Sequence, residues 1–117
     1  MEIKAKRIYE KAAKTDGVRV LVDRIWPRGV SKEDAQLDEW LKEIAPSTEL
    51  RKWFNHDKGR FLDFARKYKN ELKGHSGLIE DLLEKWKEKS VTLLYGAKDE
   101  KYNQAVVLKA FLEQQNS

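Results

Sequence analysis

The sequence predicts an α/β domain: a small, mostly parallel sheet flanked by helices on both faces, in one compact domain spanning 1–117. Three observations predict it. Residues 18–22 and 91–95 are nearly continuous in apolar side chains, as a strand covered on both faces must be. Between and after them, apolar residues recur at helical spacing. No linker, repeat or shift in composition marks a second domain.

Residues 3–9 predict a first strand, with Ile3, Ala5, Arg7 and Tyr9 alternating against charged neighbours. Lys14, Thr15, Asp16 and Gly17 signal a turn. Val18, Val20, Leu21 and Val22 form the second strand, and Pro27 and Gly29 break the chain into a loop. Ser31 is placed to cap a helix carrying Leu37, Trp40, Leu41 and Ile44, which Pro46 stops. Ser47 or Thr48 opens a short helix through Leu50, Trp53 and Phe54. Asp57 caps a longer one, with Phe61, Phe64, Ala65, Tyr68 and Leu72 on one face and Gly74 at its end. Ser76 opens the next, with Leu78, Ile79, Leu82, Leu83 and Trp86 inward. Residues 91–95 are a strand, and Asp99 is placed to cap a final helix carrying Ala105, Val106, Phe111 and Leu112. So few strands make a small sheet, which leaves room for one that periodicity does not reveal. Trp40, Trp53 and Trp86 read as packing residues.

The chain contains no cysteine, which excludes disulfides, thiolate catalysis and cysteine metal sites together. Two histidines without metal-ligand spacing give no zinc site, and no motif calls for a cofactor. No signal peptide and no membrane-length apolar run is visible, so the expected location is the cytoplasm. Charged residues make up 38% of the chain, yet the net charge is only +4. Residues 1–32 carry nine Lys/Arg against four Asp/Glu, residues 33–57 three against seven, and residues 58–73 six against two. Alternating basic and acidic segments fit a solvated surface, or a basic surface for phosphate or nucleic acid.

Ligands in open α/β sheets bind beyond the carboxyl ends of the strands. If strands 18–22 and 91–95 are parallel neighbours, Asp23, Arg24, Trp26 and Arg28 face Tyr95 and Asn103. Asp23, His56 and Tyr95 are then the candidate catalytic residues, and Arg24, Trp26, Arg28 and Asn103 the candidate ligand-binding ones. Each has a plainer reading: Asp23 and Arg24 as ties between strand and loop, Trp26 as a wedge, Tyr95 as core, Asn103 as a helix-turn amide. His56 is the one side chain suited to proton transfer near neutral pH, at a helix exit beside Asp57.

The run Arg19-Val20-Leu21-Val22-Asp23-Arg24-Ile25-Trp26-Pro27-Arg28-Gly29, the segment from Ile44-Ala45-Pro46-Ser47 to Trp53-Phe54, the pair His56-Asp57, and Thr92-Leu93-Leu94-Tyr95 with Asn103 resemble the domain of unknown function 488 family, YeaO-like branch. The resemblance covers residues 3–112. It implies a compact cytoplasmic α/β domain and assigns no catalytic residue. Three functions remain open: a site for a small anionic ligand of phosphate or nucleotide type, with or without catalysis; a nucleic-acid-binding module; and a non-catalytic interaction subunit. In the second, Lys4, Lys6, Arg7, Arg19, Arg24 and Arg28 would join Arg60, Arg66, Lys67 and Lys69 in one positive face, with Trp26 for stacking.

Overall fold

The protein is described by a computed structural model covering residues 1–116. Among these residues, four parallel strands form one sheet in the order β1-β4-β2-β3. They are β1 (Glu2–Arg7), β2 (Val18–Leu21), β3 (Glu39–Trp40) and β4 (Ser90–Tyr95). The helices are α1 (Lys32–Ala35), α2 (Thr48–Phe54), α3 (Phe61–Lys73), α4 (Ser76–Lys85) and α5 (Gln104–Gln115).

The two central strands are the two continuous apolar runs, because only they are covered on both faces and flanked on both edges. Alternate residues divide between two cores. Ile3, Val20, Val22, Val91, Leu93 and Tyr95 join the large cluster under α2 to α5. Leu21 and Leu94 point the other way, toward Ile8, Ala35, Trp26 and Trp40. Helices thus flank both faces, but unevenly: four on one side, and the single turn of α1 with its long loops on the other. The apolar stripe of α3 buries Phe64, Tyr68 and Leu72 as its spacing predicts.

The helix expected over residues 31–44 is not formed. Ser31 does cap α1, accepting from the Asp34 amide. However, Gln36 adopts a left-handed conformation with φ 44°, and the chain then enters β3. Asp38 donates its amide to the Arg19 carbonyl at 2.8 Å, and Leu41 donates to Leu21 at 2.9 Å. The spacing of Leu37, Trp40, Leu41 and Ile44 serves a strand and a 3-10 turn at Lys42–Ile44 instead. This is the strand that periodicity concealed.

Smaller corrections concern the ends. The first strand stops at Arg7 rather than Tyr9, although the Ile8 amide still bonds Tyr95. Asp57 caps a 3-10 turn that leads into α3. Asn103, not Asp99, caps α5; Asp99 closes the preceding turn by accepting from Lys101 and Tyr102. Ser47 caps α2 as expected. Of the three packing tryptophans, Trp86 is fully buried, while Trp40 and Trp53 are half-buried. No helix among the described residues is long and apolar enough to cross a membrane.

Candidate functional site

β2 and β4 are in register, Leu21 beside Leu94, so the segments beyond them emerge side by side. The Val22 amide bonds the Leu94 carbonyl at 3.0 Å. One residue later Asp23 turns its carboxylate across the gap, where Oδ2 accepts the Gly96 amide at 2.9 Å. Its other oxygen, Oδ1, accepts from the Gln104 side-chain amide in the first turn of α5. Burial pushes the Asp23 carboxyl up to about 6; the Gly96 amide, Gln104 and the Arg51 guanidinium pull the other way without cancelling it. No cation is hydrogen-bonded or ion-paired to this carboxylate.

The loop after β2 is pinned at four points. Trp40 donates its indole N–H to the Asp23 carbonyl at 2.6 Å. The Arg24 guanidinium donates to the carbonyls of Pro46 and Ala45 at 2.9 and 3.0 Å, tying this loop to the approach of α2. Trp26 donates to Val30 at 2.7 Å and meets Trp40 edge-on, with centroids 5.3 Å apart. Tyr9 donates its hydroxyl to the Arg28 carbonyl at 2.8 Å. The Arg28 side chain itself is exposed and has no hydrogen-bond or ion-pair partner, and the same holds for Arg51 in α2.

Tyr95 is buried. Burial is the main reason its hydroxyl titrates above the ordinary range; Glu100 and Glu10 add to this, while Arg7 and a hydrogen bond with Asn103 oppose it. Asn103 is buried as well. Its Oδ1 accepts the Val106 amide and its Nδ2 donates to the Asp99 carbonyl. Both residues therefore serve the junction from β4 to α5. His56 lies at the exposed exit of α2, with φ 56° and its ring 6.4 Å from that of Phe54. That corner adjoins the loop after β4: Lys58 pairs with Asp99 at 3.8 Å, and Phe61 meets Tyr102 edge-on at 5.1 Å.

The structure thus brings Asp23, Tyr95 and Asn103 to one end of the sheet, while Arg28 is exposed in the loop after β2 and His56 lies at the exit of α2. The model of the family described as "Inactive DUF488-N3 subclade" matches residues 2–117. The chain belongs to the DUF488 family. Its similarity to the uncharacterized protein YeaO of Escherichia coli K12 is 46% identity over 112 residues, covering 96% of this chain and 97% of that one. Two mycobacterial proteins, Rv3073c of Mycobacterium tuberculosis H37Rv and Mb3100c of Mycobacterium bovis, are 46% identical over 78 residues, covering 67% of this chain and 66% of each of theirs. No solved structure matches it.

Two residues around Asp23 were not singled out from the sequence, Gln104 and Arg51. Gln104 follows Asn103 directly, and a polar residue at the start of a helix that leaves a strand end is a usable signal. Arg51 lies inside one of the family's segments, but its proximity to Asp23 depends on how α2 packs. Among the described residues no group of three or more His, Asp or Glu side chains is arranged to hold a metal ion. The single positive face considered above does not form. Lys6 and Arg19 converge on Asp16 at 3.0 and 2.5 Å, Arg7 donates to Ala97, and Arg24 to Ala45 and Pro46. Trp26 has its indole N–H engaged and its ring against Trp40.

Proposed function

We propose that this chain is a non-catalytic binding domain for a small anionic ligand of the nucleotide type, held at the carboxyl ends of β2 and β4. The observation that carries the reading is Asp23. A carboxylate withdrawn from water, with two amide donors and no cation bonded to it, is costly unless something else uses its remaining acceptor capacity. A ligand that offers N–H or O–H groups to Asp23 and a phosphate to Arg28 and Arg51 meets both needs. Those two guanidinium groups are unengaged, and guanidinium is well matched to phosphate. Arg24, Trp26, Tyr95 and Asn103 hold the loops that present the site. His56 lies at the exposed exit of α2.

Binding without turnover is favoured by the description of the subclade as inactive. It also fits the polar groups nearest Asp23, which are a backbone amide and a side-chain amide rather than an acid–base partner. Calorimetric titration with inorganic phosphate, nucleoside monophosphates and nucleoside triphosphates tests the proposal. The expected result is saturable binding of a nucleotide that Arg51→Ala and Arg28→Ala each weaken and Asp23→Asn nearly abolishes, with the nucleotide recovered unchanged. No binding, or binding that the three substitutions leave intact, overturns the site. Conversion of the nucleotide by the parent protein overturns the non-catalytic half.

A further inference from the structure

A separate feature lies on the outer surface of α2 and α3. Residues 51–69 carry seven Lys/Arg against two Asp, a surplus of five in a chain whose total is +4. Arg51, Lys52, Lys58, Arg60, Arg66, Lys67 and Lys69 are all exposed. The two aspartates are already engaged: Asp57 caps the turn before α3 and pairs with Arg60 at 3.6 Å, and Asp63 pairs with Arg66 at 3.8 Å. Glu71, next along α3, gives its carboxylate to the amide and hydroxyl of Ser47 at 2.8 and 2.6 Å. Lys52 and Lys69 have no partner. Among them is the half-buried ring of Trp53, with Arg60 at 5.3 Å and Lys67 at 4.7 Å from its centroid.

Several cations of the N-terminal segment are consumed internally: Lys4 on the Thr15 carbonyl, Lys6 and Arg19 on Asp16, Arg7 on Ala97, Arg24 on Ala45 and Pro46. Residues 51–69 instead keep all seven of theirs exposed. A surface that gathers exposed cations near an aromatic ring is complementary to a chain of regularly spaced anions. We infer that the exposed face of α2 and α3 binds the sugar–phosphate backbone of a nucleic acid, independently of base sequence. Trp53 and its flanking cations hold the strand by ring and charge contacts, and Lys52, Arg66 and Lys69 neutralise phosphates.

The test is fluorescence anisotropy with labelled single-stranded RNA, duplex RNA and duplex DNA across a salt series, with heparin as a polyanion that lacks bases. The variant is Lys52→Ala/Arg66→Ala/Lys69→Ala, which removes side chains that carry no structural hydrogen bond. Its control is Lys11→Ala/Lys14→Ala/Lys32→Ala, an equal change of net charge on exposed positions outside α2 and α3. Circular dichroism confirms that both fold. The expected outcome is binding to at least one nucleic acid that weakens about tenfold or more in the first triple variant, with a salt slope shallower by about three, and that the control retains. Three results overturn it: no binding to any nucleic acid at low salt, equal weakening by the two triple variants, or binding to heparin alone.

Discussion

Gly96 gives its amide to the carboxylate of Asp23 at 2.9 Å, and this contact closes the seam where β2 and β4 end. The approach has no room for a side chain: a Cβ on Gly96 would lie 2.9 Å from Asp23 Oδ2 and 3.3 Å from Pro27 Cβ. The backbone of Gly96 needs no positive φ, so space rather than conformation selects the glycine. Gly96→Ala is therefore expected to push the Asp23 carboxylate from its amide and to cost about 1–3 kcal/mol. Urea denaturation measures this. A variant as stable as the parent, with unchanged nucleotide binding, would show that the seam is slack.

The raised pKa of Asp23 gives a pH dependence of unusual sign. Its folded carboxyl titrates at about 6 because burial disfavours the charge, against an ordinary value of 3.8. Between those values the native state holds a proton that the unfolded chain has released. The contribution to stability is thus complete below pH 3.8 and is lost as pH rises through about 6. Asp23→Asn keeps the shape, since Asn can still accept from Gly96 while the Gln104 amide turns over to accept in its place. Above pH 6 the variant is expected to be more stable than the parent by on the order of 1–2 kcal/mol, and the difference should vanish near pH 4. Denaturation at a series of pH values reads this directly; a constant difference across the range would contradict the buried-charge account. Under the proposed function, ligand donors need the ionised carboxylate, so nucleotide binding should weaken below pH 6 while stability does not.

The fold and the site were legible to different degrees. β2 and β4 stand out because full enclosure demands continuous apolar residues, a constraint that acts on each strand by itself. The meeting of the segments after them followed as well, because parallel neighbours must end together. β3 was hidden for the opposite reason. It has two residues, and its apolar neighbours repeat at the period of a helix. What makes it a strand is the left-handed turn at Gln36 and the bonds from Asp38 and Leu41 to β2, which are tertiary facts. The same distinction separates Asn103 from Arg51. Asn103 follows a strand in sequence, whereas Arg51, though inside one of the family's segments, comes near Asp23 only through the docking of α2. The role of Asp16 was concealed by its position in a turn-forming segment, although it is the buried partner of two cations.

Asn103 is expected to act as a structural clamp whose loss is felt at the site. Its side chain satisfies two backbone groups, the Val106 amide at 3.0 Å and the Asp99 carbonyl at 2.8 Å, from a buried position. Asn103→Ala should cost about 2 kcal/mol, the upper part of the range for a lost N-cap, because the Asp99 bond goes with it. Asn103→Ser restores the cap but not the second bond, and should recover roughly half of the loss. Denaturation of both variants checks the order. Equal stability of the two would mean that the cap contributes nothing.

The ion cluster at Asp16 makes a sharper prediction about what holds the second face of the sheet. Asp16 is 4% exposed, accepts from Arg19 at 2.5 Å and Lys6 at 3.0 Å, and also receives the Ala13 amide at 2.9 Å. Burial by itself would raise its pKa, but the Ala13 amide and the two cations outweigh it and hold the carboxyl below its ordinary value. This stabilisation is present above pH 3.8 and is lost as pH falls through the lowered folded pKa, the reverse of Asp23. Arg19, also 4% exposed, has its Nε and Nη2 on the Ala35 carbonyl and keeps Nη1 for Asp16 alone. Asp16→Ala would strand that buried guanidinium and should cost about 3–5 kcal/mol. Replacing both ions, as Asp16→Ala/Arg19→Met, removes the stranded charge and should cost less than the sum of the two single changes by about 1–3 kcal/mol. The double-mutant cycle in urea tests this. Additive losses would mean that the pair is held apart by water and that the Ala35 contact, not the charge, anchors α1 to β2.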